Sequence, residues 1–355
     1  MQVVFRGIIM RHLGIDLHTN QMTICYLEEG VYSYEEFAVN NIEHFKSKLL
    51  TTDKLAIEAT GNSSFVYRHC VDLVAEIVIV NTMQFKVITK SCKKTDKNDA
   101  KLLAEFLSKD LLPKARVKTE VDDRLHSLVD SRAKFIGLRS ELKNKIFNLL
   151  NRCGIKLPKA SLNSDKGLTR VLAYAVDALV KFELEQIVDE IRHLNKRIEQ
   201  YDNKISEEGQ KLPGFENLVS IKGIGTNTAV MLLSTIGDIN DFENEKKLAA
   251  YFGLVPRVSN SNETVKHGRI TKRGDRFVRT ALLQCAFISI KYSPVLHGFY
   301  ERIKDKRGFA KAIAATARKL LTVVYYTLKN GWYFTDFVNN IREIRPIERK
   351  LLGTV

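Results

Sequence analysis

A mixed α/β domain, followed by a long helical stalk and then an α-helical domain, is the fold class this sequence predicts, and three observations predict it. Short apolar runs with strand character alternate with helical patterns from residue 12 to about 118. Apolar residues then recur at helical spacing through two long stretches. Beyond Pro213 and Gly214 the chain is punctuated by glycines and returns to shorter helices. The resulting division is 1–118, 119–210, 211–332 and a tail at 333–355. The 355 residues suffice for two or three domains.

In the first domain, His12 to His18 reads as a strand that reaches a turn at Thr19-Asn20 and returns as Met22 to Leu27. Val31 to Val39 is a third strand, Asn41 to Leu50 a helix, and Leu55-Ala-Ile-Glu58-Ala a fourth strand. Ser64 to Val74 follows as a helix and Glu76 to Val80 as a strand, giving an α/β domain with a mixed sheet. A basic loop, Lys86 to Lys94, precedes a helical pattern that opens at Lys94-Thr-Asp96-Lys-Asn-Asp99 and continues through Leu102, Leu103, Phe106 and Leu107. Such a loop, Lys93 and Lys94 included, suits a phosphate backbone, as it suits a solvated face.

In the stalk, Leu125, Leu128, Phe135, Leu138, Leu142, Ile146 and Leu149 mark one helix. A second carries Leu184, Ile187, Ile191, Leu194, Ile198, Tyr201 and Ile205, in alternating steps of three and four that form the a/d seam of a coiled coil. Two pairings satisfy that seam, a hairpin within one chain or association between subunits. The spacing is read here as favouring a homo-oligomer, dimer or tetramer.

The third domain opens on Leu218-Val-Ser-Ile-Lys222-Gly223-Ile-Gly225, which resembles a helix-hairpin-helix element whose turn N–H groups face a phosphate. The segment from Gly253 to Asp275 is polar and rich in Arg and Lys, and reads as a surface loop. Arg257, Lys266, Arg269, Lys272, Arg273, Arg276 and Arg279 in or beside it suit phosphate positioning.

The formal net charge is +15 and the pI about 9.5. Such a surface attracts polyanions through counterion release, so nucleic acid is the expected partner. No run approaches the roughly 18 apolar residues of a membrane span, and the charged N-terminal stretch does not read as a signal peptide; Met10 is a second candidate start. Five widely spaced cysteines without a Cys-x-x-Cys pair point to reduced thiols in a cytoplasm and away from structural zinc.

Four carboxylates carry the chemistry. Asp16 stands inside one apolar run and Glu58 ends another, places where a carboxylate costs free energy unless something pairs with it. Asp96 and Asp99 are three apart at a helix start and share a face, a placement that by itself also suits a solvated first turn complementing the helix dipole. Hard cations such as Mg²⁺ or Mn²⁺ take oxygen ligands of this kind, and paired ions of that type support phosphoryl transfer.

The order Gly14-Ile-Asp16, Ile57-Glu58-Ala-Thr-Gly61, Lys94-Thr-Asp96-x-x-Asp99-Ala, the coiled-coil insert, Ile221-x-Gly-Ile-Gly225, Gly253-Leu-Val-Pro-Arg257 and Gly268-Arg-Ile-Thr-Lys-Arg-Gly-Asp275 resembles the DEDD transposases of bacterial insertion sequences, relatives of Piv-type DNA invertases. The resemblance spans residues 12 to about 330. It implies a RuvC-like, RNase H-like N-terminal domain with Asp16, Glu58, Asp96 and Asp99 as the metal-binding tetrad. It also implies a nucleophilic serine seven residues before Gly268, at Ser261. The family's glycine after that serine is Asn262 here, which leaves Ser259 as an alternative. An element-encoded structured guide RNA, a covalent serine–DNA intermediate, and sites assembled from two subunits are further implications. Two other classes fit the residues: a junction-resolving endonuclease that uses water, and a non-catalytic nucleic-acid-binding protein.

Overall fold

The computed structural model describes residues 10–82, 84–85, 95–261 and 264–334, with 259–261 and 264–267 as backbone only. The chain divides into two compact units, Met1–Val117 and Lys118–Val355.

The first unit contains β1 (His12–Leu17), β2 (Gln21–Glu28), β3 (Val31–Ala38), α1 (Ile42–Lys46), β4 (Lys54–Glu58), α2 (Ser63–Cys70), β5 (Glu76–Val80) and α3 (Asp96–Ser108). The strands lie in the order β3-β2-β1-β4-β5. β2 is antiparallel to both β1 and β3, whereas β1, β4 and β5 run parallel, so the sheet is mixed as its sequence predicts. Central β1 is buried on both faces, which explains why it reads as a nearly continuous apolar run. Leu13, Ile15 and Leu17 join the core formed with Phe45, Ile57 and Val66. Gly14 faces the other way, beneath α3. A Cβ there would meet the Ala100 carbonyl oxygen at 2.0 Å and the Ala104 nitrogen at 2.6 Å, so only glycine lets the helix lie this close to the strand.

The second unit contains α4 (Glu120–Arg152), α5 (Asp165–Leu172), α6 (Ala178–Gly209), α7 (Phe215–Val219), α8 (Thr226–Ile236), α9 (Glu245–Tyr251), the hairpin of β6 (Pro256–Ser261) and β7 (Thr264–Ile270), α10 (Arg276–Tyr292), α11 (Pro294–Arg307) and α12 (Phe309–Asn330). Arg132 pairs with Asp202, Arg139 donates to Asn195 at 2.8 Å and Lys145 pairs with Glu183 at 2.7 Å. Rising numbers on α4 meet falling numbers on α6, so the two helices form an antiparallel hairpin. This corrects the expectation of an intersubunit seam. Leu184, Ile191, Leu194, Ile198 and Ile205 are already buried within the chain, and Ile146, Leu149 and Leu150 of α4 share a cluster with Leu184, Ile187 and Ile191. The a/d spacing reports that a partner helix exists; it carries no information on which chain supplies it. The start of α4 contributes Leu125 and Val129 to the same core as α8, α10 and α12.

The segment read as a surface loop is instead a two-stranded antiparallel ribbon, with Ser261 paired to Thr264 and Ser259 to Lys266. Its polar, basic composition concealed alternation short enough to make a hairpin of marginal independent stability. Among the described residues, no helix is long and apolar enough to cross a membrane. Cys25, Cys70 and Cys285 are buried free thiols and Cys153 an exposed one; Cys92 lies outside the described residues.

Candidate catalytic carboxylate site

Asp16 is the penultimate residue of β1. The parallel register pairs Gly14 with Ala56 and Ile15 with Ile57, so the next step sets Asp16 beside Glu58 at the end of β4. Asp96 and Asp99 occupy the first turn of α3, whose Thr95 cap accepts a hydrogen bond from the Asn98 N–H at 3.3 Å. The close approach at Gly14 brings that turn toward the end of β1. Asp16 and Asp99 are each only 5% exposed, whereas Asp96 is open to solvent.

Asp16 feels the other three carboxylates. Burial pushes its pKa up to about 6, the charges of Asp96, Glu58 and Asp99 push the same way, and His18 opposes them. His18 is a residue the motif reading passed over. Its Nε2 lies 3.6 Å from Asp16 and 3.3 Å from Asp96, and ligand atoms of the three residues lie within 4.8 Å of one another. Glu58 and Asp99 act on Asp16 through charge but do not belong to that group of three. The signal that would have found His18 is its position two residues after Asp16, since strand periodicity returns every second residue to one face. Asn62 donates to the His18 carbonyl at 2.8 Å and so ties the end of β1 to the loop after β4.

Like charges converging on a buried carboxylate are stabilised when a cation neutralises them. The donor set, hard oxygens with one imidazole, fits Mg²⁺ or Mn²⁺.

The second unit presents the basic residues. Lys222 is exposed in the turn between α7 and α8. Gly223 has φ +107°, and a Cβ there would meet Ser289 Oγ at 2.4 Å, while the Ser289 hydroxyl donates to the Lys222 carbonyl at 2.7 Å. That side of the turn is therefore packed on α10, whereas a Cβ at Gly225, just before α8, would meet nothing within 4 Å among the described residues. Arg257, Arg269, Lys272 and Arg273 are exposed on or just after the ribbon. Ser261 ends β6, Ser259 precedes it by two residues, and Lys266 lies in β7, all three described by backbone alone. Lys93 and Lys94 lie outside the described residues.

Arg279 departs from the phosphate-positioning reading. It is 9% exposed, and its Nη1 donates to the carbonyls of Arg273, Gly274 and Asp275 at 2.8, 3.0 and 3.1 Å. The guanidinium is spent on holding the turn after the ribbon, in which Lys272 adopts a left-handed φ of +56°. Asp275 caps α10 and accepts from His126 of α4 at 3.2 Å, so the stalk hairpin also braces this turn.

A profile of IS110-type DEDD transposases matches residues 13–155, and one described as Transposase IS116/IS110/IS902 family matches residues 215–301. The chain carries the transposase domains of the IS110/IS116 family. It is 24% identical over 327 residues to the transposase for insertion sequence element IS1111A of Coxiella burnetii, covering 89% of each chain. It is 28% identical over 340 residues to the pilin gene-inverting protein of Moraxella bovis, covering 90% of this chain and 96% of that one. The transposase for insertion sequence element IS1328 of Yersinia enterocolitica is 24% identical over 285 residues, 79% of this chain and 85% of that protein. The protein is thus a transposase or recombinase of the IS110/IS116 family, acting on DNA. The four carboxylates fall in the DEDD segment, and the ribbon with its basic turn falls in the second matched segment.

Proposed function

We propose that this protein excises and inserts an insertion-sequence element, using the four carboxylates for metal-dependent strand chemistry and Ser261 as the nucleophile. The observation that carries the reading is the convergence of Glu58, Asp96 and Asp99 on buried Asp16, within the segment matched to DEDD transposases. The strand order β3-β2-β1-β4-β5, with β2 antiparallel to its neighbours, supports an RNase H-like, RuvC-like assignment for residues 1–118. The turn between α7 and α8 supports a helix-hairpin-helix element within 211–332, and residues 119–210 supply the stalk.

In this reading Asp16, Glu58, Asp96 and Asp99 hold Mg²⁺ or Mn²⁺. When bound, the metal lowers the cost of charge developing on the attacking and departing oxygens. His18 orients the Asp16 and Asp96 carboxylates. Ser261 Oγ forms a bond to phosphorus as the bond from phosphorus to the 3′ oxygen breaks, and the hydroxyl proton passes to the departing oxygen. Arg257, Arg269, Lys272 and Arg273 position the phosphate backbone. A structured guide RNA, implied by the family resemblance and accommodated by the +15 charge, delivers sequence choice by base pairing. Exposed Leu138, Leu179 and Phe182 on the outer faces of α4 and α6 offer a homo-oligomer contact outside the occupied seam. The protein acts in the cytoplasm, in keeping with its free thiols.

Asp16→Asn is expected to lower strand cleavage in Mg²⁺ by about three orders of magnitude, several kcal/mol of transition-state stabilisation, with DNA affinity retained. Ser261→Ala should form no protease-sensitive protein–DNA adduct on denaturing gels. Full cleavage by Asp16→Asn overturns the metal site, and an adduct that survives Ser261→Ala but not Ser259→Ala moves the nucleophile.

A further inference from the structure

The joint edge of α10, α11 and α12 carries aromatic rings that the helical core does not use. Phe287 is 46% and Phe309 56% exposed, their centroids 6.5 Å apart, and Tyr300 lies 6.4 Å from Phe309 as a buried floor. Cations flank the rings. Lys291 Nζ stands 5.4 Å from the Phe287 centroid, and Lys304 Nζ, which also pairs with Glu301 at 3.1 Å, stands 5.4 Å from that of Tyr300. Contacts therefore run unbroken from Lys291 through Phe287, Phe309 and Tyr300 to Lys304.

A solvent-exposed pair of large rings costs solubility unless it meets a partner. Cations interleaved with the rings specify the partner's charge. Two copies of this chain meeting face to face would bring their lysines together, which opposes self-association through this edge. A polyanion with accessible flat faces satisfies both features. In addition, α12 begins after Gly308 with no side-chain cap among the described residues, which leaves its first-turn N–H groups beside Phe309 to face a phosphate. Phe309 also lies beyond residue 301, where the matched transposase segment ends.

We propose that this edge binds unpaired DNA, with bases stacked on Phe287 and Phe309 and the backbone held by Lys291, Lys304 and the start of α12. Aromatic stacking needs a free base face, which an intact duplex does not offer and an opened strand does. The proposal rests on the recombinase reading, because exchange of strands requires that they be opened.

The test uses the full-length protein and fluorescence polarisation with a labelled DNA strand of about 20 nucleotides, the duplex of the same sequence and the equivalent RNA. Because both rings are exposed, the double change Phe287→Ser with Phe309→Ser leaves the core intact. It is expected to weaken single-strand DNA binding by roughly tenfold or more, from loss of stacking at about 1–3 kcal/mol per base, and to leave duplex binding within about twofold. Unchanged single-strand affinity, an equal loss for duplex, or tighter binding of the RNA than of the DNA strand overturns the proposal. So does a change in oligomeric mass by light scattering, which assigns the edge to contacts between copies. Asp16→Asn, run in parallel, keeps single-strand binding and loses cleavage. If it keeps both activities the catalytic reading fails while the stacking result stands, so the two failures are distinguishable.

Discussion

In the unit Met1–Val117 acidic side chains are drawn to the ends of buried strands, whereas in Lys118–Val355 basic side chains stay on helix surfaces and beside tight turns. The difference follows from what each charge has to do. A metal site needs ligands held to within a fraction of an ångström, which a close-packed sheet and a helix seated on glycine supply. Backbone phosphates are numerous and solvated, so the groups that meet them need exposure more than exact placement. The exception within the helical unit sharpens the contrast: Arg279 is buried and bonds backbone carbonyls, while its neighbours Lys272 and Arg273 remain exposed. One cation is used to fix the turn that presents the others.

The largest effect is expected from placing an acid in the helical unit's core. Ile191→Asp buries a carboxylate with no cation to meet it and is expected to cost about 3–5 kcal/mol in urea unfolding. Its oligomeric mass by light scattering should match that of the unmutated protein, since the seam is filled from within the chain. Dissociation without loss of stability would return the seam to an intersubunit role.

A smaller effect is expected from Gly14→Val. The added side chain meets α3 backbone and forces that helix off β1, at about 2–3 kcal/mol, measured as a lower Tm. Duplex binding should persist while cleavage falls, because the displaced turn carries Asp96 and Asp99. Wild-type cleavage with an unchanged Tm would show that the contact is not what positions the carboxylates.

The smallest effect concerns Lys319 of α12, which is 6% exposed and whose Nζ has no hydrogen-bond partner among the described residues. Burial, with Arg302 adding to it, lowers its pKa to about 8 from an ordinary 10.5. Between those values the unfolded chain binds the proton that the folded protein has released, so stability rises as pH rises from about 8 to about 10.5. Denaturation across that window is expected to show stability rising with pH, a rise absent in Lys319→Met. A flat profile in the unmutated protein would mean that the amine is solvated.

The alternation of strands and helices in the first unit is legible in the residues alone, because each buried strand must be apolar and each helix must turn an apolar stripe inward. The sequence also singled out Asp16 and Glu58, since a carboxylate inside an apolar run is conspicuous whatever the fold. It marked the α6 seam, but local spacing does not encode the partner, and only the packing of α4 against α6 decided that Ile191 and Ile198 are covered within one chain. The ribbon at Pro256–Ile270 escaped notice because short polar strands read as loop until a pairing register exists. His18 and Arg279 were visible as residues but not as roles. Whether an imidazole joins two carboxylates, or a guanidinium turns inward to bond carbonyls rather than outward to phosphate, depends on distances between segments far apart in the chain. Those distances are set by the tertiary structure alone.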